Sequence, residues 1–351
     1  MGLPKILIEF KKLAETLITR SERGIVAIVL KDNSNTNLSY TFTSENDVVK
    51  SHFTTSNLAY LHLAFLGSPS KVIVERVTIG STFADVLERL KNKNWNYLTV
   101  PSIDENDVEA IVSYIETQRD TYYKSFKAVL PGVAANYEGI INFATDNIKV
   151  GSRTYSSAEY CARIAGVLAG LPLNRSATYY VLDEAESIEE RQNPDTDIDN
   201  GMLILINDGT KIKIGRGVNS LTTTTDTKGD DFKKIKIIES LDMIRDDIRN
   251  TFENDFVGKV ENSYDNKIVF LAAVNKYFRD LASQGVLYDK YDNKAEINID
   301  GNREWLSQHK DVSSWDDEKI KTANTGTNVF VKASIQVQDA IEDLYFKVYM
   351  D

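Results

Sequence analysis

Three residue types are scarce in this chain: 351 residues include one cysteine, three histidines and six prolines. The lone cysteine, Cys161, excludes an intramolecular disulfide and a thiolate metal cage, and it agrees with a reducing compartment. Free cysteine packs as a small apolar side chain, so Cys161 reads as a buried helix position rather than a nucleophile. His52, His62 and His309 are scattered, and none has the His-Glu-x-x-His or Cys/His spacing that converges on zinc. No Gly-rich loop ends in Lys-Ser or Lys-Thr, so there is no motif for cradling phosphate. A Ser-His-Asp triad built from distant residues would leave no fixed order to find, but no nucleophile-elbow motif is present.

Long apolar runs are also missing. No stretch approaches 18 uninterrupted apolar residues, and Met1 to Phe10 has neither a basic start nor a cleavage-like site, so neither a membrane span nor an export signal is expected. Lys and Arg total 41 against 52 Asp and Glu, a formal charge of −11, and no dense basic cluster could track a phosphate backbone. Nucleic acid, membrane insertion and a bound cofactor are therefore not expected.

Hydrophobic residues make up 42% of the chain, enough for a sizeable core, and the length allows two or three domains. Ile6 to Phe10 is a short strand-like run followed by a polar stretch to Gly24. Ile25 to Leu30 is a continuous apolar run typical of a buried strand, with a turn at Asp32 to Asn37 and a strand at Tyr40 to Phe42. Helices and strands then alternate: a helix from Ser51 to Phe65, an alternating strand from Lys71 to Ile79, and a helix from Ser81 or Thr82 to Lys93. A strand at Trp95 to Val100, a helix from Asp104 or Asn106 to Tyr123 and a strand at Phe126 to Leu130 follow. That order predicts an α/β layer with parallel strands.

A helix from Ser156 or Ser157 to Leu168 carries Ala162, Ala165, Gly166, Ala169 and Gly170 on one side, a face that permits close backbone approach. Met202 to Ile206 and Lys211 to Ile214 read as a hairpin, with Asp208-Gly209 suited to a type I′ turn. After a polar connector at Thr222 to Asp231, helical spacing returns in Ile235 to Phe252 and Ile268 to Leu281. Asp289 to Asp316 is polar and loop-rich, and Val329 to Val337 and Leu344 to Met350 have strand patterns.

Two further segments resemble ligand motifs and fail on detail. Asp195, Asp197 and Asp199 alternate like the start of a calcium loop, but Asn200 stands where Gly is needed and Ile206 where a bidentate Glu is needed. Gly215 to Ser220 lacks the third Gly of a dinucleotide fingerprint and opens no helix. The two ends are more informative. Short apolar strands on polar tethers expose backbone donors and acceptors that either fold back onto their own sheet or pair with another molecule.

Several stretches together resemble the contractile tail sheath family of phages, prophages and phage-tail-like bacteriocins, in particular the short sheaths of Gram-positive bacteria. Gly2-Leu-Pro-Lys-Ile-Leu-Ile-Glu-Phe10 and Arg20-Ser-Glu-Arg-Gly-Ile-Val-Ala-Ile-Val-Leu30 are similar to that family's arm and first core strand. Tyr160-Cys-Ala-Arg-Ile-Ala-Gly-Val-Leu-Ala-Gly-Leu-Pro-Leu-Asn-Arg-Ser-Ala-Thr-Tyr179 is similar to its Ala/Gly helix and following strand. Gly201 to Leu221 resembles its central hairpin, and Phe232 to Leu281 the start of its C-terminal domain.

The resemblance implies an α+β fold, a mixed α/β layer and a C-terminal α+β sheath domain with extended N- and C-terminal β-strand arms. It divides the chain into an arm at 1–20, a β-rich subdomain at 21–80, a central domain at 81–231, a tube-facing domain at 232–328, and C-terminal strands and arm at 329–351. It further implies a non-enzymatic subunit, assembled in the bacterial cytoplasm as part of a phage tail or tail-like particle. Such a subunit polymerises with itself as stacked hexameric rings around a tail tube, between baseplate and tail terminator proteins, and contracts to drive the tube through an envelope. On that basis Ile6, Leu7, Ile8 and Phe10, with Phe346, Val348 and Tyr349, link subunits, and Lys276 and Arg279 are candidates for tube contact. The chain is short for the family, so large outward decorations are not expected. Two alternatives stay open: an α/β hydrolase or nucleotide-dependent enzyme with an unrecognised site, and a tail-tube or baseplate relative that forms rings without contracting.

Overall fold

The structure, a computed structural model, describes residues 18–78 and 82–350. It divides into two compact units, a larger one of residues 22–246 with the segment from 339 onward, and a smaller one of residues up to 21 with 247–338.

The larger unit is built on β1 (Ile25–Lys31), β2 (Ser39–Phe42), α1 (Thr55–Phe65), β3 (Lys71–Val77), α2 (Phe83–Lys91), β4 (Tyr97–Thr99), α3 (Glu105–Asp120), β5 (Lys127–Pro131) and β6 (Ile140–Phe143). It continues through β7 (Ile148–Val150), β8 (Arg153–Tyr155), α4 (Ser157–Gly170), α5 (Pro194–Asp199), β9 (Met202–Leu203), β10 (Leu205–Asn207) and β11 (Ile212–Ile214). One sheet of seven strands runs β2-β3-β1-β4-β5-β6-β9, parallel throughout except for β2. A parallel sheet must be covered on both faces, which explains why Ile25 to Leu30 has no polar residue: all six are 0% exposed. Val26, Ile28 and Leu30 join the core that includes Leu61 and Leu63 of α1 and Tyr160 and Ile164 of α4. Ile25, Ala27 and Val29 join the opposite core, with Val86 and Leu90 of α2 and Ile111 and Ile115 of α3.

Thr82 and Ser156 each close a reciprocal capping box, with Asp85 and Glu159, and so fix where α2 and α4 begin. The small-residue face of α4 lies against α1. A Cβ built on Gly166 would stand 2.1 Å from the Ala64 carbonyl oxygen, and one on Gly67 would stand 2.0 Å from the Gly166 carbonyl carbon.

Four expectations need correction. The strand at 71–77 is buried on both faces rather than alternating, because Val72 and Val74 enter one core and Ile73 the opposite one. Its charged pair is consequently fully buried: Glu75 accepts from Arg89 Nε at 2.7 Å, and the Arg76 guanidinium donates to the Asn35 carbonyl at 2.8 Å and lies over Phe53 and Tyr40. The 202–206 run is split, since Met202–Leu203 adds to the large sheet beside β6 and only β10 forms the hairpin with β11. The hairpin turn is a four-residue loop, Asp208 to Lys211, and not a two-residue type I′ turn. The ladder ends at Asn207 opposite Ile212, only Gly209 of the loop has positive φ, and the Asp208 carboxylate accepts from the backbone N–H of Thr210 and Lys211. Finally, the 289–316 stretch contains regular structure that was too short to show in the pattern.

The smaller unit holds α7 (Tyr264–Ser283), β12 (Lys294–Ile297), α8 (Ile299–Ser307), α9 (Asp317–Thr322) and β13 (Val331–Ser334). Helix α6 (Ile235–Asp255) spans the division, residues 247–255 belonging to the smaller unit. β12 and β13 pair antiparallel as a two-stranded sheet, and Leu306, Val312 and Ile320 form a small core under Trp305 and Trp315.

Candidate assembly surfaces

A group of buried charges in the larger unit is internally paired. Asp242 accepts from Arg119 at 2.9 and 3.0 Å, from Lys127 at 2.9 Å and from Arg245 at 2.8 Å. Glu239, one turn earlier, accepts from the Tyr97 hydroxyl at 2.6 Å, from Lys127 at 2.8 Å and from Arg23. Burial pushes both carboxyls up, but the facing cations outweigh it and hold each below the usual carboxylate range, Asp242 well below. The cluster ties the first half of α6 to strands β4 and β5, with every carboxylate matched by a cation.

Cys161 is buried on α4, and burial pushes its thiol far up. His52, His62 and His309 each have a local partner: the Tyr40 hydroxyl, Glu45 and the Trp305 carbonyl. Asp197 on α5 is held by Arg191 at 2.7 Å, and no group of His, Cys, Asp or Glu among the described residues is placed to hold a metal ion. Gly215 to Ser220 opens no helix.

The exposed features lie elsewhere. From Ile341 to Met350 the chain forms no helix or turn, and among the described residues it belongs to no paired strand. Leu344, Phe346 and Val348 are 85%, 79% and 68% exposed, and Tyr345, Tyr349 and Met350 are 93%, 87% and 92% exposed. A contiguous apolar segment this exposed is abnormal for an isolated protein surface. Among the described residues the expected strand at 344–350 has no ladder partner and is not formed. Ile6, Leu7, Ile8 and Phe10 lie outside the described residues. Lys276 and Arg279 sit on α7, the first half-buried and the second exposed.

Sequence reasoning missed the stem of this arm. Asp339 pairs with Lys234; Glu342 accepts from the hydroxyls of Ser176 and Thr178 at 2.7 Å each; and Arg216 reaches Glu342 at 3.6 Å and Asp343 at 2.6 Å. The signal was present as an acidic run, Asp339 to Asp343, directly before the apolar one. Its partners, scattered from Ser176 to Lys234, could not be read from spacing.

In the smaller unit, one edge of the β12–β13 sheet is closed and the other open. Asn275 of α7 mimics a strand: its Oδ1 accepts from the Ala295 N–H at 2.7 Å and its Nδ2 donates to the Ala295 carbonyl at 3.0 Å, which caps β12. With Ala295 turned to Asn275, and the Asn298 N–H bonded to the Phe330 carbonyl at 3.0 Å, Ala295–Ala333 and Ile297–Val331 are the non-hydrogen-bonded pairs of the ladder. The N–H and C=O of Val331 and Ala333 therefore point away from β12. All four β13 residues are exposed, and no described strand pairs with that edge. Also in this unit is an apolar cleft of about 480 Å³, lined by Phe252, Phe256, Val260, Phe270 and Val329 with the buried Lys267.

These observations define an α+β protein whose distinctive features are an unpaired apolar arm and an unfilled sheet edge. Residues 80–220 match the phage tail sheath protein central domain, and residues 227–351 match the phage tail sheath C-terminal domain. The chain is 38% identical over 360 aligned positions to the tail sheath protein of Clostridium phage phiCD119, covering 99% of both. It is 24% identical over 180 positions to the phage-like element PBSX protein XkdK of Bacillus subtilis, covering 50% of this chain and 39% of that one. Its fold is similar to the sheath tail protein of Desulfitobacterium hafniense, with TM-score 0.71, 15% identity, and 84% of this chain and 94% of the other covered. It is equally similar to a chain of the anti-feeding prophage helical sheath in its contracted state, with TM-score 0.71, 13% identity and full coverage of both. The chain belongs to the phage tail sheath family. It is a tail sheath protein of a phage or phage-like particle, and no helix among its described residues is long and apolar enough to cross a membrane.

Proposed function

We propose that this subunit polymerises as a six-fold helical sleeve around a tail tube, and that the sleeve shortens to drive the tube through an envelope. The observation that carries the reading is the complementarity between the exposed arm and the open edge of β13. Among the described residues the arm has no ladder partner and the edge has no strand, and pairing between copies satisfies both. The arm of a neighbouring copy adds beside β13, bonds to Val331 and Ala333, and places apolar side chains toward the Phe252–Phe270 cleft. The N-terminal segment, through Ile6, Leu7, Ile8 and Phe10, joins the same kind of seam. Residues 232–328 face the tube, with Lys276 and Arg279 available to it, and baseplate and terminator proteins cap the ends of the sleeve.

The mechanism is mechanical and consumes no nucleotide. The extended sleeve is held by a barrier rather than by equilibrium, and a signal from the baseplate starts a wave of subunit rotation. Backbone ladders between copies are kept through that rotation, and the arms that carry them act as the hinges. Side-chain interfaces between bodies are exchanged for larger ones, and the added apolar burial, at roughly 25 cal/mol per Å², supplies the work.

Negative-stain microscopy of the purified full chain tests this reading, with tubes or long polymers expected. Deleting Met1 to Lys11, or residues 344–350, should leave a folded monomer. A sharper variant is Ala333→Pro, which removes an outward N–H and leaves the β12–β13 ladder intact, since edge positions tolerate proline. Tubes formed by Ala333→Pro and by both truncations as readily as by the unaltered protein would refute pairing at these ends.

A further inference from the structure

The arm does not leave the body at random. Its stem, Asp339 to Asp343, is clipped to the larger unit by three elements remote in sequence. The loop after α4 supplies Ser176 and Thr178, the segment after β11 supplies Arg216, and the residue before α6 supplies Lys234. Glu342 is the centre of the clip. An ionised carboxylate only accepts, and each hydroxyl has one proton to give, so Ser176 and Thr178 both donate to the same Oε1 at 2.7 Å while Oε2 faces Arg216. Thr178 is itself fixed, its Oγ1 accepting from the Gly217 N–H at 3.0 Å. The Glu342 side chain is only 13% exposed, whereas its neighbour Ile341 is 98% exposed. Thus one acidic side chain turns into the body, while the apolar side chains around it are left outside.

We propose that this clip is a latch that sets the origin and direction of the C-terminal arm, with Glu342 as its positioning residue. The proposal rests on the reading that the arm pairs with a neighbouring copy. The apolar segment 344–350 reaches about 23 Å when fully extended, so a fixed origin confines it to a narrow region of space. Without the latch, five more residues must be ordered at the moment of pairing, which lowers the effective concentration of the arm at the neighbour's edge. Carboxylate, hydroxyl and guanidinium groups suit a latch better than an apolar patch would, because water competes for them and the clip can rearrange as subunits rotate.

Full-length Glu342→Ala, Glu342→Gln and Arg216→Gln variants test the latch beside the chain lacking 344–350. Cysteine introduced at Tyr349 takes a fluorophore selectively, since Cys161 is buried. In monomer below the polymerisation threshold, anisotropy of that label reports arm mobility, and light scattering of the same variants with Tyr349 kept and no label gives the threshold itself. Glu342→Ala is expected to free the label and to raise the threshold roughly tenfold or more, as loss of preorganisation does. Glu342→Gln, which keeps an acceptor for both hydroxyls, is expected to fall between it and the unaltered chain. Arg216→Gln, changed from the body side, should act like Glu342→Gln, and it decides the matter if Glu342→Ala fails to fold. The latch is overturned if anisotropy and threshold stay unchanged in the folded variants while removal of 344–350 abolishes polymers. Polymers that survive that removal overturn the arm reading instead.

Discussion

Replacing Gly166 by alanine sets two effects of opposite sign against each other. In an exposed helix the change gains about 1 kcal/mol, because glycine carries the larger backbone entropy. At this position the new Cβ would lie 2.1 Å from the Ala64 carbonyl oxygen and 2.9 Å from its carbonyl carbon. Ordinary carbon–oxygen contacts begin near 3.3 Å, so α1 and α4 must part by about 1 Å. A gap of that size forfeits a quarter to a half of each dispersion contact along the crossing, and overpacking of this kind costs about 1–3 kcal/mol or more where the obstacle is backbone. The steric term wins, and a net destabilisation of about 2 kcal/mol is expected. Trp95 is a suitable reporter, 1% exposed and stacked on Phe126 in the larger unit. Urea unfolding at low protein concentration, followed by Trp95 fluorescence in a background where Trp305 and Trp315 are phenylalanine, gives the midpoint and slope. An unchanged or higher midpoint would show that propensity governs this helix and that the close approach is not a packing constraint.

Two further outcomes concern the charges under α6. Asp242→Asn leaves Arg119 and Lys127 buried without their shared carboxylate and should cost about 3–5 kcal/mol in the same unfolding experiment, against under about 1 kcal/mol if the cluster behaves as solvated surface charge. Asp242 and Glu239 both titrate below their unfolded values, so the stability they contribute is complete above about pH 5 and is lost as pH falls through 4 and below. The unfolding free energy of the native chain should therefore drop steeply from pH 5 to pH 3, and Asp242→Asn should flatten that slope; parallel slopes would assign the acid sensitivity to other carboxylates.

The sequence by itself determined the alternation of elements and, through the unbroken apolar run Ile25 to Leu30, a strand covered on both faces. The periodicity of α1, α2, α3, α6 and α7 was legible because it depends on residues three or four apart, and the starts of α2 and α4 were legible to within one residue, Ser81 or Thr82 and Ser156 or Ser157. The apolar pattern of Leu344 to Met350 was legible too, as a segment needing cover. What only the tertiary structure decided was pairing over long separations. Met202–Leu203 joined the large sheet because β6 offered an edge, while the residues just after it turned into a hairpin. β12 is held by β13 and by Asn275, which lie outside its own four residues, so its short pattern carried little local signal. The stem of the arm meets Ser176, Thr178, Arg216 and Lys234, more than a hundred residues earlier, and Asn275 blocks one edge of a sheet whose other edge stays open. Local sequence fixes which faces are apolar through backbone periodicity. Which edge is left unfilled, and where an arm is clipped, depends on contacts that exist only once the chain has closed on itself.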